Sequence, residues 1–194
     1  MIEVELKSVV TDVAGRRAAV ESAGARIVFS GALHDRRYDT PDGSLALRDE
    51  VLRVRVYSNA QEERVELHWK GPTREEGGYK LREEIATPMA EASALETILG
   101  KLGYVITMQI EREIVQYELD GATIRFETYP RMDDLVEVEG TTEQIERAIE
   151  ATGLPRAGFV TDRLSDFVLR YEARSGLSAA LSAAGRRDFD ISNV

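Results

Sequence analysis

Two pairs of glutamates, each two residues apart, stand far from one another in the chain: Glu3 with Glu5, and Glu137 with Glu139. Carboxylates in such pairs are hard oxygen donors, the ligand type preferred by Mg²⁺ and Mn²⁺. Between them lie cations at the same spacing, Arg53 with Arg55, and further ones at Lys7, Lys70, Lys80, Arg82 and Arg125. Guanidinium groups hold phosphate oxygens in pairs, and ammonium groups hold them as point charges. A divalent cation bridged to a polyphosphate satisfies both sets at once. A Glu-x-Glu pair alone is common on exposed strands, so the conjunction of acidic and basic pairs is what points to this chemistry.

Other chemistries are excluded by composition. With no cysteine there is no disulfide scaffold, thiolate metal site or cysteine nucleophile. The two histidines, His34 and His68, are far apart, so any metal site is mainly carboxylate. Gly77-Gly78 is followed by no lysine-serine pair, which leaves it a flexible turn and not a phosphate-binding loop. Thirty-five acids against 25 bases give a formal charge of −10, which opposes nucleic acid or an anionic membrane as partner. No run is long and apolar enough for a membrane span, and Met1-Ile2-Glu3 lacks the basic start of a secretory leader. The expected location is the cytoplasm.

The elements that must position these residues are legible in the alternation. With 43% hydrophobic and 31% charged residues over 194 positions, the chain is globular and fits one domain, expected at 1–174 with a tail at 175–194. Ile2, Val4 and Leu6 alternate with Glu3, Glu5 and Lys7, which predicts a first strand. Further strands are predicted at 32–39, 51–57, 65–70, 80–86, 104–119, 123–129 and 135–139. Thr40-Pro41-Asp42-Gly43 and Asp120-Gly121 supply tight turns. Helices are predicted at 12–24, 91–102, 141–153 and 162–173, the third opened by a capping box from Thr141 to Gln144. The tail reads as weakly helical and then frayed.

The polar faces of these strands are crowded with long charged residues. Each strand also has an apolar face that the amphipathic helices must cover. If the helices lie outside a closed sheet, the charged faces turn inward. The fold class is therefore α+β, an antiparallel closed eight-stranded β-barrel or tunnel with helices packed outside. Such a ring has room for side chains or one small ligand, and enclosed acids and bases are costly unless they pair with each other or with something bound.

Several of these segments carry a family resemblance. Glu3-Val4-Glu5-Leu6-Lys7 resembles the E-x-E-x-K signature of the CYTH family, the triphosphate tunnel metalloenzymes, which includes class IV adenylate cyclases, thiamine triphosphatases and inorganic triphosphatases. Tyr38-Asp39-Thr40-Pro41, Leu52-Arg53-Val54-Arg55, Trp69-Lys70-Gly71-Pro72, Arg82-Glu83-Glu84 and the segment from Leu135 through Gly140 follow in the family's order. The similarity spans roughly residues 2–172.

The resemblance implies Mg²⁺ or Mn²⁺ as cofactor, held by Glu3, Glu5, Glu137 and Glu139, with Glu127 where the family usually has an aspartate ligand. It implies that Lys7, Arg53, Arg55, Lys70 and Arg82 hold phosphate oxygens, joined by Arg112 and Arg125. Glu5, Lys7 and Glu137 are the residues it places at the reacting phosphoryl group, where one metal orients the phosphates and another activates the attacking oxygen.

The resemblance leaves the nucleophile open. Water makes the chain a triphosphatase acting on tripolyphosphate, ATP or thiamine triphosphate; a ribose hydroxyl makes it an adenylate cyclase. Met1-Ile2 stands where class IV cyclases carry a His-Phe pair, and Ile110-Glu111-Arg112 where they show Lys-x-Arg, so hydrolysis is favoured. A non-catalytic polyphosphate or nucleotide sensor is the third reading, and a homodimer is left open. Glu5→Gln or Glu137→Gln is expected to abolish turnover and to leave the fold intact or stabilised, because each removes a like charge from a crowded site.

Overall fold

Alternation of charged and apolar residues resolves into nine strands in the computed structural model, which describes residues 2–183. The strands are β1 (Ile2–Val10), β2 (Arg26–Asp39), β3 (Val51–Ser58), β4 (Glu63–Lys70), β5 (Arg74–Glu76), β6 (Tyr79–Met89), β7 (Val105–Leu119), β8 (Ala122–Thr128) and β9 (Asp134–Glu139). The helices are α1 (Val13–Ser22), α2 (Ala92–Lys101), α3 (Thr142–Thr152) and α4 (Leu164–Ser175). Eight strands form a closed antiparallel ring in the order β1-β9-β8-β7-β2-β3-β4-β6, completed where β6 pairs with β1. The three-residue β5 hangs outside the ring on β6. The fold is α+β, as the alternation predicts.

Residues directly opposite one another in a ladder point to the same face. The register therefore collects the charges. Glu5 lies opposite Lys80 on one side and Glu139 on the other, and Lys7 lies opposite Glu137, which in turn faces Arg125. Arg53 faces Arg37 and His68, while Arg55 faces Asp35 and Glu66. All of these share the inward face.

The outward face is apolar and helix-covered. On β1, β8 and β9, Leu6, Ile124, Val136 and Val138 pack beneath Ile145, Ala148 and Ile149 of α3 and Val20 of α1. α3 starts on the expected capping box, Thr141 accepting from the Gln144 N–H, and stops at Gly153, whose φ of 65° suits the left-handed C-cap. Leu95 and Leu99 of α2 cover Val54 and Val65, and Phe167 and Val168 of α4 cover Leu135 and Met132. No helix among the described residues is long and apolar enough to cross a membrane.

The structure departs from the sequence reading at four places. β2 begins six residues early, at Arg26, where the run Ile27-Val28-Phe29 hides the alternation behind a register shift against β7. β5 is exposed and wholly polar, so it has no apolar signal. α4 starts after Arg163, whose N–H donates to Asp166 at 2.8 Å. The tail is the fourth. Gly176, at φ 71°, ends α4, and residues 177–183 are not helical. They run back to the ring, Ala180 pairing with the backbone of Arg131 and the Leu181 carbonyl accepting from the Glu111 N–H at 2.7 Å. Burial of Ala179 and Leu181 against the α4 core outweighs the helical preference of the Ala/Ser composition. Residues 184–194 of the expected tail lie outside the described residues.

Candidate functional site

The ring encloses a cavity of about 520 Å³, within the range of about 300–1,000 Å³ typical of small-molecule sites. The charged side chains in and beside it fall into three groups.

The first is acidic. Carboxylate oxygens of Glu3, Glu5 and Glu139 lie within 4.8 Å of one another, an all-oxygen donor set suited to a hard divalent cation. Three lysines neutralise it. Lys70 donates to Glu3 at 2.5 Å, Lys7 donates to Glu5 at 3.0 Å, and Lys80 contacts Glu5 from β6. Burial works to raise the Glu5 carboxyl, but Lys7, Lys80 and Lys70 outweigh it and hold the group well below the usual carboxylate range. Glu139 goes the other way, pushed up by burial and by the neighbouring charges of Glu3 and Glu5 against the pull of Arg125. Burial also lowers Lys80 to about 8, assisted by Lys7 and opposed by Glu5.

The second group joins acids to arginines. Lys7 reaches Glu137, which also takes the Arg125 guanidinium. Arg125 Nε donates to Glu127 at 2.9 Å, Arg112 Nε donates to the same oxygen at 3.1 Å, and the Tyr129 hydroxyl donates to the other at 2.5 Å. Burial would raise the Glu127 carboxyl, yet Arg112 and Arg125 hold it far below its ordinary value. Glu127 and Glu137 are thus brought to the arginines, and the three-carboxylate cluster forms without them.

The third group is built on Asp35. Arg55 donates to it twice, at 2.7 and 2.8 Å, Arg112 donates at 3.0 Å, and Arg53 stands 3.6 Å away. Burial opposes the Asp35 charge, and these three guanidinium groups override it. Behind Arg53, His68 is held between Glu66 at 2.8 Å and Glu84 at 2.5 Å, with its Nδ1 3.0 Å from Arg53 Nη2. Arg82 is fixed by backbone carbonyls, Gly71 at 2.7 Å and Asp49 at 2.8 Å. Arg37 differs from all of these. It lines the cavity, and among the described residues its side chain makes no hydrogen bond or ion pair. Burial and the nearby charge of Arg53 bring it down to about 10. Buried nitrogens of Arg53 and Arg112 also lack partners. Buried donors without acceptors, clustered on one wall, are suited to an anion.

Every candidate from the sequence therefore lies in or beside this enclosure, but sequence reasoning passed over Asp35, Arg37 and Glu84 as site residues, and the family resemblance left Lys80 out of the phosphate-holding set. Asp35 and Arg37 are two apart on a predicted strand and were available to the same period-2 reasoning as Arg53 and Arg55. The Tyr38-Asp39 pair beside them serves the fold instead. Tyr38 packs beneath α2, and Asp39 accepts from the backbone of Thr40, Leu45 and Ala46.

The family model of the CYTH domain matches residues 1–152. No curated protein matches the sequence. Among solved structures, a Pyrococcus horikoshii protein is similar at 22% identity and a TM-score of 0.69, covering 87% of this chain and 98% of its own. A Vibrio parahaemolyticus protein named as a candidate adenylate cyclase has 18% identity and a TM-score of 0.74, covering 87% and 98%. A Hippeastrum protein, named as a candidate adenylyl cyclase with a dominant triphosphatase activity, has 17% identity and a TM-score of 0.61, covering 93% and 98%.

Proposed function

The chain belongs to the CYTH domain family, and from that premise we propose that it is a divalent-metal-dependent enzyme that hydrolyses a triphosphate inside the strand ring. The observation supporting this most is that a three-carboxylate cluster, whose Glu5 lines the cavity, adjoins arginine donors on the cavity wall that have no acceptor among the described residues. Glu3, Glu5 and Glu139 would hold Mg²⁺ or Mn²⁺. Such an ion, when bound, neutralises phosphate charge and lowers the pKa of an attacking water.

The protein's own groups supply the rest. Arg37, Arg53 and Arg112 present unsatisfied N–H groups to phosphate oxygens, and Asp35 and Glu127 together fix the orientation of the Arg112 guanidinium. Lys7 bridges Glu5 and Glu137, so its ammonium stands between the carboxylate cluster and the arginine wall. There it offsets charge that builds on the reacting phosphoryl oxygens. Lys70 and Lys80, on flexible stems, now pair with Glu3 and Glu5 and become available to phosphate when a cation takes over those carboxylates. Water adds to the terminal phosphorus, the P–O anhydride bond breaks, and inorganic phosphate leaves with a diphosphate product.

The test is incubation of pure protein with tripolyphosphate, ATP and thiamine triphosphate, each with Mg²⁺ or Mn²⁺, with separate assays of phosphate, pyrophosphate and cyclic AMP. Metal-dependent release of phosphate is expected. Cyclic AMP with pyrophosphate would replace hydrolysis by cyclisation, and no product from any substrate would leave a binding module.

A further inference from the structure

His68 is a buried inward residue of β4 that the proposed hydrolysis does not use. It stands opposite Arg53 on β3 and Ala86 on β6. Arg53 lines the cavity and His68 lies behind it. The two ring nitrogens have three close neighbours. Nε2 is 2.8 Å from a Glu66 oxygen, while Nδ1 is 2.5 Å from a Glu84 oxygen and 3.0 Å from Arg53 Nη2. An imidazole nitrogen has one in-plane position, which holds either a proton to donate or a lone pair that accepts. Glu84 requires the proton and Arg53 requires the lone pair, so Nδ1 serves one of them at a time.

Glu66 accepts from Nε2 in either state, which leaves Nδ1 as the variable. The charged groups around the ring are Arg53 and Arg55 on β3, Glu66 and Lys70 on β4 and Glu84 on β6, with Asp35 of β2 behind Arg53 and Glu3 of β1 behind Lys70. When Nδ1 is unprotonated it ties Arg53 Nη2 to the wall, and Glu84 keeps Lys70 at 3.1 Å. When Nδ1 takes a proton from solvent it donates to Glu84, and Nη2 loses its imidazole acceptor. Arg53 Nε already lacks one. The guanidinium then has two nitrogens to offer an anion.

Resting on the reading of the cavity as a triphosphate site, we infer that His68 is a positioning residue for Arg53: protonated, it turns Arg53 toward a bound polyphosphate, and unprotonated, it holds Arg53 back. The coupling is reciprocal, so the anion favours the protonated ring by the same factor by which the protonated ring favours the anion. The chain has two histidines, and the exposed His34 is an internal control for the buried one.

The test is nitrogen-15 NMR of the two imidazoles from about pH 5 to 9, on metal-free protein with and without saturating tripolyphosphate. The neutral His68 ring should carry its proton on Nε2. Tripolyphosphate should raise the His68 titration midpoint by about one unit, a tenfold preference of the anion for the protonated ring, and leave His34 unmoved. Arg53→Lys keeps the charge and removes the forked donors, and there the rise should shrink by about half or more. In calorimetry His68→Gln should weaken tripolyphosphate binding about tenfold at about pH 5.5 and leave it unchanged at about pH 8.5. Because both proteins meet the same ligand, the ionisation of tripolyphosphate itself cancels. A neutral ring protonated on Nδ1, an unmoved midpoint in the complex, an undiminished rise in Arg53→Lys, or a His68→Gln deficit equal at both pH values would overturn the inference and leave triphosphate hydrolysis standing. Should tripolyphosphate, ATP and thiamine triphosphate all fail to bind, the triphosphate reading falls and the inference falls with it.

Discussion

Asp35 and Arg37 are two residues apart on one strand face, and the structure gives them opposite tasks. Asp35 is surrounded by Arg53, Arg55 and Arg112, so Asp35→Asn leaves three buried cations short of a partner. Removing one member of a buried ion pair costs about 3–5 kcal/mol, which for a chain of this size is a fall in Tm of about 6–20 °C. Its carboxyl is depressed in the folded state, so the unfolded chain takes up the proton first. The stability Asp35 contributes is complete above its unfolded pKa of about 3.9 and is lost as pH falls toward the lower folded value. Urea unfolding at neutral pH and at about pH 3 should therefore show a steeper acid loss in the wild type than in Asp35→Asn; parallel losses would rule this account out. Arg37, with no acceptor among the described residues to leave stranded, should behave differently. Arg37→Ala keeps the wild-type Tm or raises it, yet weakens tripolyphosphate binding by about tenfold or more, the worth of one charge-assisted hydrogen bond. The carboxylates divide in the same way. The relief expected from neutralising Glu5 does not follow from its setting, because lysines and not acids dominate it. In metal-free protein Glu5→Gln should lower Tm, whereas Glu139→Gln, whose charge is opposed by burial and by Glu3 and Glu5, should raise it.

At the scale of elements, the strands that carry the carboxylate cluster are held from outside. β9 carries Glu137 and Glu139 inward and Val136 and Val138 outward onto α3, so the cluster is only as well placed as that helix. Ile145 is fully buried in the contact, and Ile145→Ala should cost about 2–5 kcal/mol. If α3 positions Glu139, the variant should also need more Mg²⁺ for half-maximal turnover at a temperature where it remains folded; an unchanged requirement would make α3 a purely structural cover. Much of this layout was legible because the physics is local. Period-2 alternation marked the inward charges of β1, β3 and β9, the Thr141 capping box marked where β9 gives way to α3, and the Asp120-Gly121 turn marked the joint between β7 and β8. What stayed hidden is non-local. Whether Glu127 meets the acids or the arginines depends on neighbours brought in by register, and the Arg112 and Arg125 pairing that claims it joins residues on two adjacent strands. The tail's return was invisible for the same reason, since its partner edge is created only where β8 ends short of β7.

For the whole molecule, a formal charge of −10 surrounds an interior where basic groups outnumber their free acceptors. Ion pairs hold the inner face of the ring together, Lys7 and Lys80 against Glu5 and Lys70 against Glu3, the carboxylates that on the proposed reading would take a cation. On the proposed reading a cation would displace these lysines from Glu3 and Glu5, with Lys7 keeping Glu137 and Lys70 keeping Glu84, and a polyphosphate would then supply acceptors for the ammonium groups and for Arg37. Metal and anion should therefore bind with positive coupling, each raising the affinity for the other by the same factor. A ligand at a hundred times its Kd stabilises the fold by about 2.7 kcal/mol, or about 5–11 °C at this chain length. In a four-way thermal-shift comparison of apo protein, Mg²⁺ alone, tripolyphosphate alone and both, the joint shift should exceed the sum of the separate ones after correction for the metal complex formed in solution. Glu3→Gln should reduce that excess while leaving a shift from the anion. Strictly additive shifts in the unaltered protein would mean that the carboxylate cluster and the arginine wall act as independent sites, and the exchange of lysine partners would have to be abandoned.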